Sequence, residues 1–249
     1  MFYKKLAVLT LTIAAFQVFA GDYNAHWSHS GDTGPEHWGS LSENFATCDS
    51  GQQQSPIDIA NSTKADLPPL QFNYVPFPLA IKNNSHTVEI RTKGAAGSLV
   101  VGTESYKMLD FHSHSPSEGA INGKHADMVM HLVHESEADK IAVVVIYFNK
   151  GEANPLLATL WKMMPKEVSE VQYHENIQVD IKQMLPADTN YYTYDGSFTT
   201  PPCTEGVKWI VLKQPMTISV EQLEQYNVLY SNNVRPLQPL NERKISSSN

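Results

Sequence analysis

Cysteine is scarce in this chain of 249 residues, and its scarcity narrows the kinds of site that the chain can build. Cys48 and Cys203 are the only two, so a CxxC redox motif and a cysteine-rich zinc site are both excluded. The HExxH and GxSxG motifs are absent as well, and a zinc hydrolase of another class, for example one acting on esters, therefore has no motif in its favour.

Positive charge is also in short supply. Eighteen Lys and Arg residues face 26 Asp and Glu residues, a formal net charge of −8 at pH 7. That acidity opposes binding to nucleic acid or to anionic membranes. We therefore expect no nucleic-acid partner.

Long apolar runs are missing except at the start, where Lys4 and Lys5 precede an apolar run over residues 6–19. The run is too short for a comfortable membrane span, and Val18-Phe19-Ala20 fits the rule for signal-peptide cleavage. We predict a signal peptide over residues 1–20 and a secreted or periplasmic mature chain over 21–249, with no membrane span; an uncleaved anchor is the alternative. Removal of the two lysines would change the net charge from −8 to −10.

Export of the chain would make a disulfide between its two cysteines chemically favourable. An even number of cysteines in an exported chain favours a disulfide, here between Cys48 and Cys203, which are separated by 155 residues. Two free buried thiols are the alternative. The sequence does not distinguish a monomer from a homodimer.

No internal repeat or long linker divides residues 21–249, so one domain is expected. Apolar and β-branched runs predict strands over 86–90, 98–101 and 141–148. Asn154-Pro155 predicts a helix to about Met164, and capping-box spacing predicts helices opening at Ser219 and at Ser40. The tail after Leu240 is polar and predicted to be loose. Strands dominate, so the predicted class is mainly β (α+β) with short peripheral helices.

Three of the ten histidines stand out by their spacing. His112 and His114 are two apart at the end of an apolar strand, so they project from the same face. A second strand carrying His131 follows the Asn122-Gly123 turn signal, and antiparallel pairing would bring His131 towards the first two. Three neutral imidazoles leave one tetrahedral position of zinc open, as catalytic sites require. His134 is three residues from His131, faces the other way and is interpreted as structural.

At these residues the sequence resembles the alpha class of carbonic anhydrases, in its exported bacterial type. The similarity covers about residues 26–240, in family order, and is carried by the following motifs: Gly34-Pro-Glu-His-Trp38, Gln54-Ser-Pro-Ile-Asp58, Asn83-Asn-Ser-His86, His112-Ser-His114, Ser117-Glu118, His131-Leu-Val-His134, Gly196-Ser-Phe-Thr-Thr-Pro-Pro-Cys-Thr-Glu-Gly206, Val207-Lys-Trp209 and Arg235-Pro-Leu-Gln-Pro239.

The resemblance implies a fold, an activity and a set of residue roles. The fold would be a large, twisted, mostly antiparallel sheet with zinc at the base of a conical cavity. The activity would be reversible hydration of carbon dioxide to bicarbonate by zinc hydroxide. Zinc would be held by His112, His114 and His131. Glu118 and Thr199 would orient the hydroxide, and His86 would shuttle the proton to solvent, a solvent-exposed histidine at a strand end being the alternative. A disulfide between Cys48 and Cys203 matches the family's exported members. The substrate wall would comprise Val133, Val143, Phe198, Thr199, Thr200, Val207 and Trp209.

Five positions depart from the family pattern. Asp110 replaces a Gln and can still accept a hydrogen bond from an imidazole. Val129 replaces a Glu and cannot. Gly119 replaces a His, His29 a cavity-lining Tyr, and Phe198 a smaller Leu. The departures predict reduced activity and weaker zinc binding. A non-catalytic binding module on the same fold is the competing class, although silent relatives have typically lost a zinc histidine and all three remain here.

Overall fold

A computed structural model describes residues 25–92 and 94–249. The predicted signal peptide over 1–20 and its cleavage site lie outside the described residues. Within the described ranges, no helix combines the length and the apolar character needed to cross a membrane.

Strands form most of the regular structure. Their bounds are β1 Asp58–Ile59, β2 Thr63–Lys64, β3 Leu70–Tyr74, β4 Phe77–Asn83, β5 Val88–Arg91, β6 Gly97–Val101, β7 Glu104–His114, β8 Ala120–Ile121, β9 Met128–Ser136, β10 Ile141–Lys150, β11 Gln172–Val179, β12 Tyr191–Ser197, β13 Glu205–Leu212, β14 Met216–Ile218 and β15 Ser246–Ser247.

The helices are short. The α-helices are α1 Trp38–Leu41, α2 Thr47–Ser50, α3 Pro155–Met163 and α4 Val220–Asn227, and single 3₁₀ turns occupy Gly31–Thr33, Glu43–Phe45 and Ile181–Met184.

One large twisted sheet organises the domain. Its strands follow the order β11-β4-β5-β7-β9-β10-β13-β12-β15-β2, with β14 beside β10. β6 also pairs with β7, and β3 pairs with β6. Most neighbours are antiparallel, and the pairs β10–β13, β10–β14 and β15–β2 are parallel, so the sheet is mixed. β1 and β8 form a separate parallel pair. The mainly β class with peripheral helices is confirmed.

The two faces of the sheet have different roles because successive side chains of a strand alternate between them. On β9, Met128, Met130 and Leu132 face the main core, into which α3 and α4 also pack. Val129 and Val133 lie on the other face, in a smaller apolar cluster around the three histidines. His134 lies on the core side, where its Nε2 is 2.8 Å from the Tyr74 hydroxyl. Its predicted structural role fits this position.

Two helix predictions are confirmed. Asn154 caps α3 through hydrogen bonds from the backbone N–H groups of Leu156 and Leu157, and Ser219 and Gln222 form a capping box at the start of α4. The predicted helix opening at Ser40 is wrong. Ser40 lies inside α1, which already begins at the buried Trp38, and Ser42 caps the 3₁₀ turn that follows.

Two other predictions need correction. The strand expected from His86 begins two residues later, because Asn84 Oδ1 accepts hydrogen bonds from the backbone N–H groups of His86 and Thr87 and forms a turn. The tail after Leu240 is not loose throughout, because its last residues form β15, which pairs with β12 and β2.

Candidate metal centre and its cavity

Adjacent central strands bring the three predicted ligands together. β7 and β9 are antiparallel, and their register places His112 directly opposite His131. His114 lies two residues beyond His112, on the same face of β7. One donor atom from each ring can be chosen so that all three lie within 4.8 Å of one another. Pairing of the two strands therefore assembles the cluster that the spacing predicted.

The surroundings keep two of the rings neutral. Burial lowers the pKa of His114 and of His131 well below the usual value, and repulsion from neighbouring imidazoles adds to this. His114 also donates its Nδ1–H to the Asn233 carbonyl at 2.6 Å, so its Nε2 carries the lone pair. Neutral imidazoles are the form that binds a metal.

His112 has a different electrostatic environment. Burial acts to lower its pKa, but the hydrogen bond and the charge of Asp110 outweigh that effect and raise it. Nδ1 of His112 lies 3.1 Å from Asp110 Oδ1, which orients the ring and leaves Nε2 for a ligand. Asp110 therefore accepts from the ring, as expected for this replacement.

Zinc fits this donor set. Nε2 of His114 is buried, has no hydrogen-bond partner among the described residues, and holds a free lone pair because Nδ1 carries the proton. A buried nitrogen without a partner is costly, and a cation bound by the lone pair removes that cost. Three imidazole nitrogens with one open position match a catalytic zinc site.

Within the described residues, the ring of His131 lacks a hydrogen-bond acceptor of the kind that the other two rings have. Asp110 accepts from His112 and the Asn233 carbonyl accepts from His114. Val129 lies two residues before His131 on the same face of β9, is fully buried and offers no acceptor. In the part of the chain that the structure describes, no acceptor is found for the His131 ring.

Glu118 and Thr199 meet beside the cluster. Glu118 Oε1 accepts a hydrogen bond of 2.8 Å from the backbone N–H of Arg235, and its Oε2 lies 3.7 Å from Nε2 of His114. Burial raises the pKa of Glu118 to about 7, while the Arg235 N–H and the nearby Thr199 hydroxyl act to lower it. A cation held by the histidines would further favour the ionised form.

A cavity of about 280 Å³ opens over the histidines. One wall is apolar, with Trp209 placed edge-on to His131 at a centroid distance of 5.1 Å. Val207 is buried behind this wall, in the cluster that includes Val143 and Trp209, and is not among the lining residues. The predicted substrate-wall residues that do line the cavity are Val133, Val143, Phe198, Thr199, Thr200 and Trp209.

His86 lines the same cavity from the turn before β5. Its ring stacks on the indole of Trp27, and His29 lies at a centroid distance of 6.1 Å. Burial, and then the charge of His26, lower the pKa of His86 to about 4. Burial and the charge of His86 lower the pKa of His29 to about 4 as well.

The segment that carries Thr199 and Thr200 is closed at both ends. Phe198 N–H donates to the Thr204 carbonyl at 3.0 Å, and Cys203 N–H donates to the Thr200 carbonyl at 2.9 Å. The predicted disulfide is present and joins Cys203 to Cys48. It therefore ties the segment that carries Thr199 and Thr200 to α2.

Steric crowding accompanies the glycine at position 119, where the family pattern has a histidine. Gly119 has a φ of 76°, and a Cβ added there would lie 2.8 Å from the Tyr147 hydroxyl. A side chain at this position would require both a left-handed backbone and displacement of Tyr147. The histidine of the family pattern could not be accommodated here without rearrangement.

Several residues of the site were not predicted. The polar side of the cavity includes Glu89 and Arg91, whose charges carry no distinctive sequence signal. Asn233 contacts His114 from a position 119 residues away, and no local pattern marks it. Arg235 belongs to a recognised motif, but only the structure shows its guanidinium donating to the carbonyls of Cys48 and Ser55.

The chain is similar to known proteins over nearly its whole length. The sequence profile of the eukaryotic-type carbonic anhydrase family matches residues 33–249. A carbonic anhydrase of Klebsiella pneumoniae is 40% identical over 243 residues, covering 97% of each chain. The solved alpha-carbonic anhydrase of Thermovibrio ammonificans, in complex with the inhibitor sulfanilamide, has a TM-score of 0.86 at 42% identity and covers 89% of this chain and 99% of its own. Dioscorin dioA3 of Dioscorea japonica is 40% identical over 221 residues, or 85% of this chain and 81% of dioscorin.

Proposed function

The chain belongs to the eukaryotic-type, or alpha, carbonic anhydrase family, and we propose that it hydrates carbon dioxide reversibly with zinc held by His112, His114 and His131. Family membership implies carbon dioxide hydration; the metal and the residue roles are the proposal. The observation that carries it is the cluster of three buried imidazoles at the base of a cavity with one apolar wall. When bound there, zinc would supply a hydroxide nucleophile at neutral pH by lowering the pKa of a coordinated water, an effect for which carbonic anhydrases are the standard example.

Glu118 and Thr199 would set the direction of attack. An ionised carboxylate can only accept hydrogen bonds, so the Thr199 hydroxyl would donate its proton to Glu118. The Thr199 oxygen could then only accept a hydrogen bond from the O–H of the nucleophile. The Arg235 N–H, which holds Glu118 Oε1 at 2.8 Å, keeps the carboxylate oriented for this contact. The attacking lone pair is then directed towards the substrate carbon.

The apolar wall would hold the substrate. Carbon dioxide has no net dipole, so it is favoured against side chains such as Val133, Val143 and Trp209 rather than against the charged side of the cavity. Phe198 and Thr200 complete this wall. Val207 would contribute by supporting Trp209 from behind.

His86 would carry the proton released in each turnover to solvent. Histidine suits this step because its ordinary pKa is near 6.5, and the ring lies in the cavity wall, in the turn before β5. A pKa of about 4 makes the ring stacked on Trp27 a poor proton acceptor. The proposal therefore requires the ring to leave the stack when it accepts the proton.

We also propose export of the mature chain from residue 21 as a single domain, with the substrate as its small-molecule partner. The disulfide supports this proposal because such bonds persist in oxidising compartments. Cleavage after Ala20 is tested by the N-terminal sequence of the exported protein.

A ligand-binding protein without catalysis is the second candidate, favoured by the similarity to dioscorin, which has been solved in complex with ascorbate. Retention of all three histidines in one cluster favours the enzyme. Zinc content and a stopped-flow hydration assay separate the two. We expect one zinc per chain, loss of activity with a chelator and recovery with added zinc. His131→Ala should lose most metal and activity, whereas the exposed His37→Ala should keep both. Full zinc content and a normal rate in His131→Ala would overturn the assignment.

The shuttle has its own test. His86→Ala should lower kcat in weak buffer far more than kcat/KM, because proton export follows the chemical step, and added imidazole should restore kcat. An unchanged kcat at low buffer concentration would exclude His86 and make His29 the next candidate.

A further inference from the structure

Asn233 lies between the metal-ligand strand and the turn that carries His86, and it bonds to both. The residue is 3% exposed and follows α4 in a loop. Its backbone carbonyl accepts from His114 Nδ1 at 2.6 Å, and its side-chain Oδ1 accepts from the Ser115 N–H at 3.1 Å. Its side-chain Nδ2 donates to the His86 carbonyl at 3.0 Å and to the Ser113 carbonyl at 3.1 Å. Asn233 thus contacts the proposed metal ligand His114 through its backbone and the His86 turn through its side chain.

The Ser113 carbonyl is a second junction between the same parts. Ser113 lies between the ligands His112 and His114 on β7. Its carbonyl accepts a hydrogen bond of 2.7 Å from the Thr87 hydroxyl, in addition to bonds from Asn233 and from the Tyr226 hydroxyl. The turn is therefore anchored to the ligand strand at two successive residues, His86 through its carbonyl and Thr87 through its side chain.

These anchors act where the strand pairing ends. Asn83 of β4 pairs with Val88 of β5, and the Asn84 N–H donates to the Thr87 carbonyl at 3.1 Å, so the base of the turn is held by the sheet while Ser85 and His86 lie outside the pairing. Pairing between β5 and β7 includes Glu89 opposite His112 and continues away from the turn, which precedes β5. Asn84 shapes the turn internally through its bonds to the N–H groups of His86 and Thr87. Among the described residues, the hydrogen bond that joins the His86 carbonyl to a residue bonded to the metal-ligand strand is the one from Asn233 Nδ2.

We propose that Asn233 is a positioning residue for proton transfer: its side-chain amide sets the distance between the His86 turn and the metal ligands. The inference rests on the proposed shuttle role of His86. Proton transfer falls steeply with small displacements of the acceptor, and a shift of about 1 Å can cost about 100-fold in rate. The His114 contact uses the backbone carbonyl, so a change of the side chain can act on the turn while the ligand keeps its acceptor.

Asn233→Asp tests this separation. The variant keeps the backbone carbonyl and an oxygen for the Ser115 N–H, but it places a carboxylate oxygen against the carbonyls of Ser113 and His86. We expect kcat in weak buffer to fall about 10-fold, in line with a displacement of less than 1 Å, while kcat/KM stays within about twofold. Zinc content should be unchanged. Added imidazole should restore kcat, because it replaces the displaced shuttle.

Matched variants separate positioning from a general structural role. Asn232→Asp, with the same change at the exposed neighbour, should leave both kinetic constants unchanged. If Asn233→Asp does not fold, Thr87→Val, which removes the second anchor, should reproduce the loss of kcat, and Thr87→Ser should restore it. In a His86→Ala background, Asn233→Asp should lower kcat no further.

The positioning role and the shuttle role fail in different ways. Equal losses in kcat and kcat/KM, loss of zinc, or no rescue by imidazole in Asn233→Asp would overturn the positioning role. A further loss of kcat in the His86→Ala background would overturn it too. A normal kcat in His86→Ala alone would instead refute the shuttle itself.

Discussion

The indole of Trp27 stacks on the imidazole of His86, with centroids 3.6 Å apart and planes inclined by 7°. The stack holds the ring against the cavity wall and covers one of its faces from water. Burial is the largest cause of the low pKa of His86, about 4, so the stack opposes protonation of the residue proposed to accept the proton.

Trp27→Ala should raise the pKa of His86 towards its ordinary value, because the ring gains access to water. We expect kcat in weak buffer near pH 7 to rise if the stack limits proton transfer. An NMR titration of the His86 ring measures the pKa directly. Trp27→Phe, which keeps an aromatic face, should change the pKa less. A pKa that stays at about 4 in Trp27→Ala would show that the stack is not the cause.

Val129→Glu should slow the loss of zinc to a chelator. A ligating histidine normally donates its second ring N–H to an acceptor, and loss of that acceptor typically costs about 10–100-fold in metal affinity or activity. Val129 lies on the same face as His131, two residues before it. A carboxylate there should therefore restore part of the lost zinc affinity. Val129→Leu, which adds bulk without an acceptor, is the control. If Val129→Glu folds and loses zinc no more slowly than the parent, another group already supports His131.

Removal of the disulfide should reduce both stability and activity. Closure of a loop between residues 155 apart is expected to stabilise the chain by about 2–5 kcal/mol. We expect Cys48→Ser/Cys203→Ser to have a lower Tm. Its kcat/KM should also fall at temperatures where it remains folded, because the bridge anchors the loop with Thr199. Zinc content, measured in parallel, should stay near one per chain. An unchanged kcat/KM in the folded double variant would show that the disulfide contributes to stability and not to activity.

Stability should decrease as the pH falls from about 6.5 to about 4, in part because of His134. Burial lowers the pKa of this histidine to about 4, against the opposing effects of its backbone partners and of Asp110. Between the two values the unfolded chain binds a proton that the folded chain does not, so the free energy of unfolding increases with pH and levels off above 6.5.

The contribution of His134 should reach about 3 kcal/mol across that range. Urea unfolding of the zinc-loaded protein at several pH values measures it. His134→Gln, which can still hydrogen-bond to Tyr74, should give a flatter profile. An unchanged slope in that variant would show that other groups dominate the acid sensitivity.

The shared orientation of His112 and His114 was predictable from sequence because it depends on short-range periodicity. His112 and His114 share a face in any strand, whatever lies around them. The turn at Asn122-Gly123 was also visible, and both residues have the positive φ that it requires. The pairing of His112 with His131 depended on register, which a β-bulge between Met108 and Asp110 helps to set and which no local pattern reveals.

The parts that could not be predicted depend on contacts between distant segments. Asn233 and Arg235 reach the site from the C-terminal loop and act partly through backbone atoms, which any residue type possesses. Trp27 matters because of where the N-terminal segment packs. The error at His86 has a local cause, since the side chain of Asn84 competes for the N–H groups that a strand would use.

The position of β15 has a practical consequence for protein engineering. The strand lies between β12 and β2, and the carbonyls of Ile245 and Ser247 accept from the N–H groups of Thr63 and Ala65. Attachment to a solid support through residues 245–249 would apply force directly to this seam, the pairing of β15 with β2, and would favour separation of β2 from the sheet. The exposed turn at residues 137–139 offers a linkage point that leaves this seam unloaded.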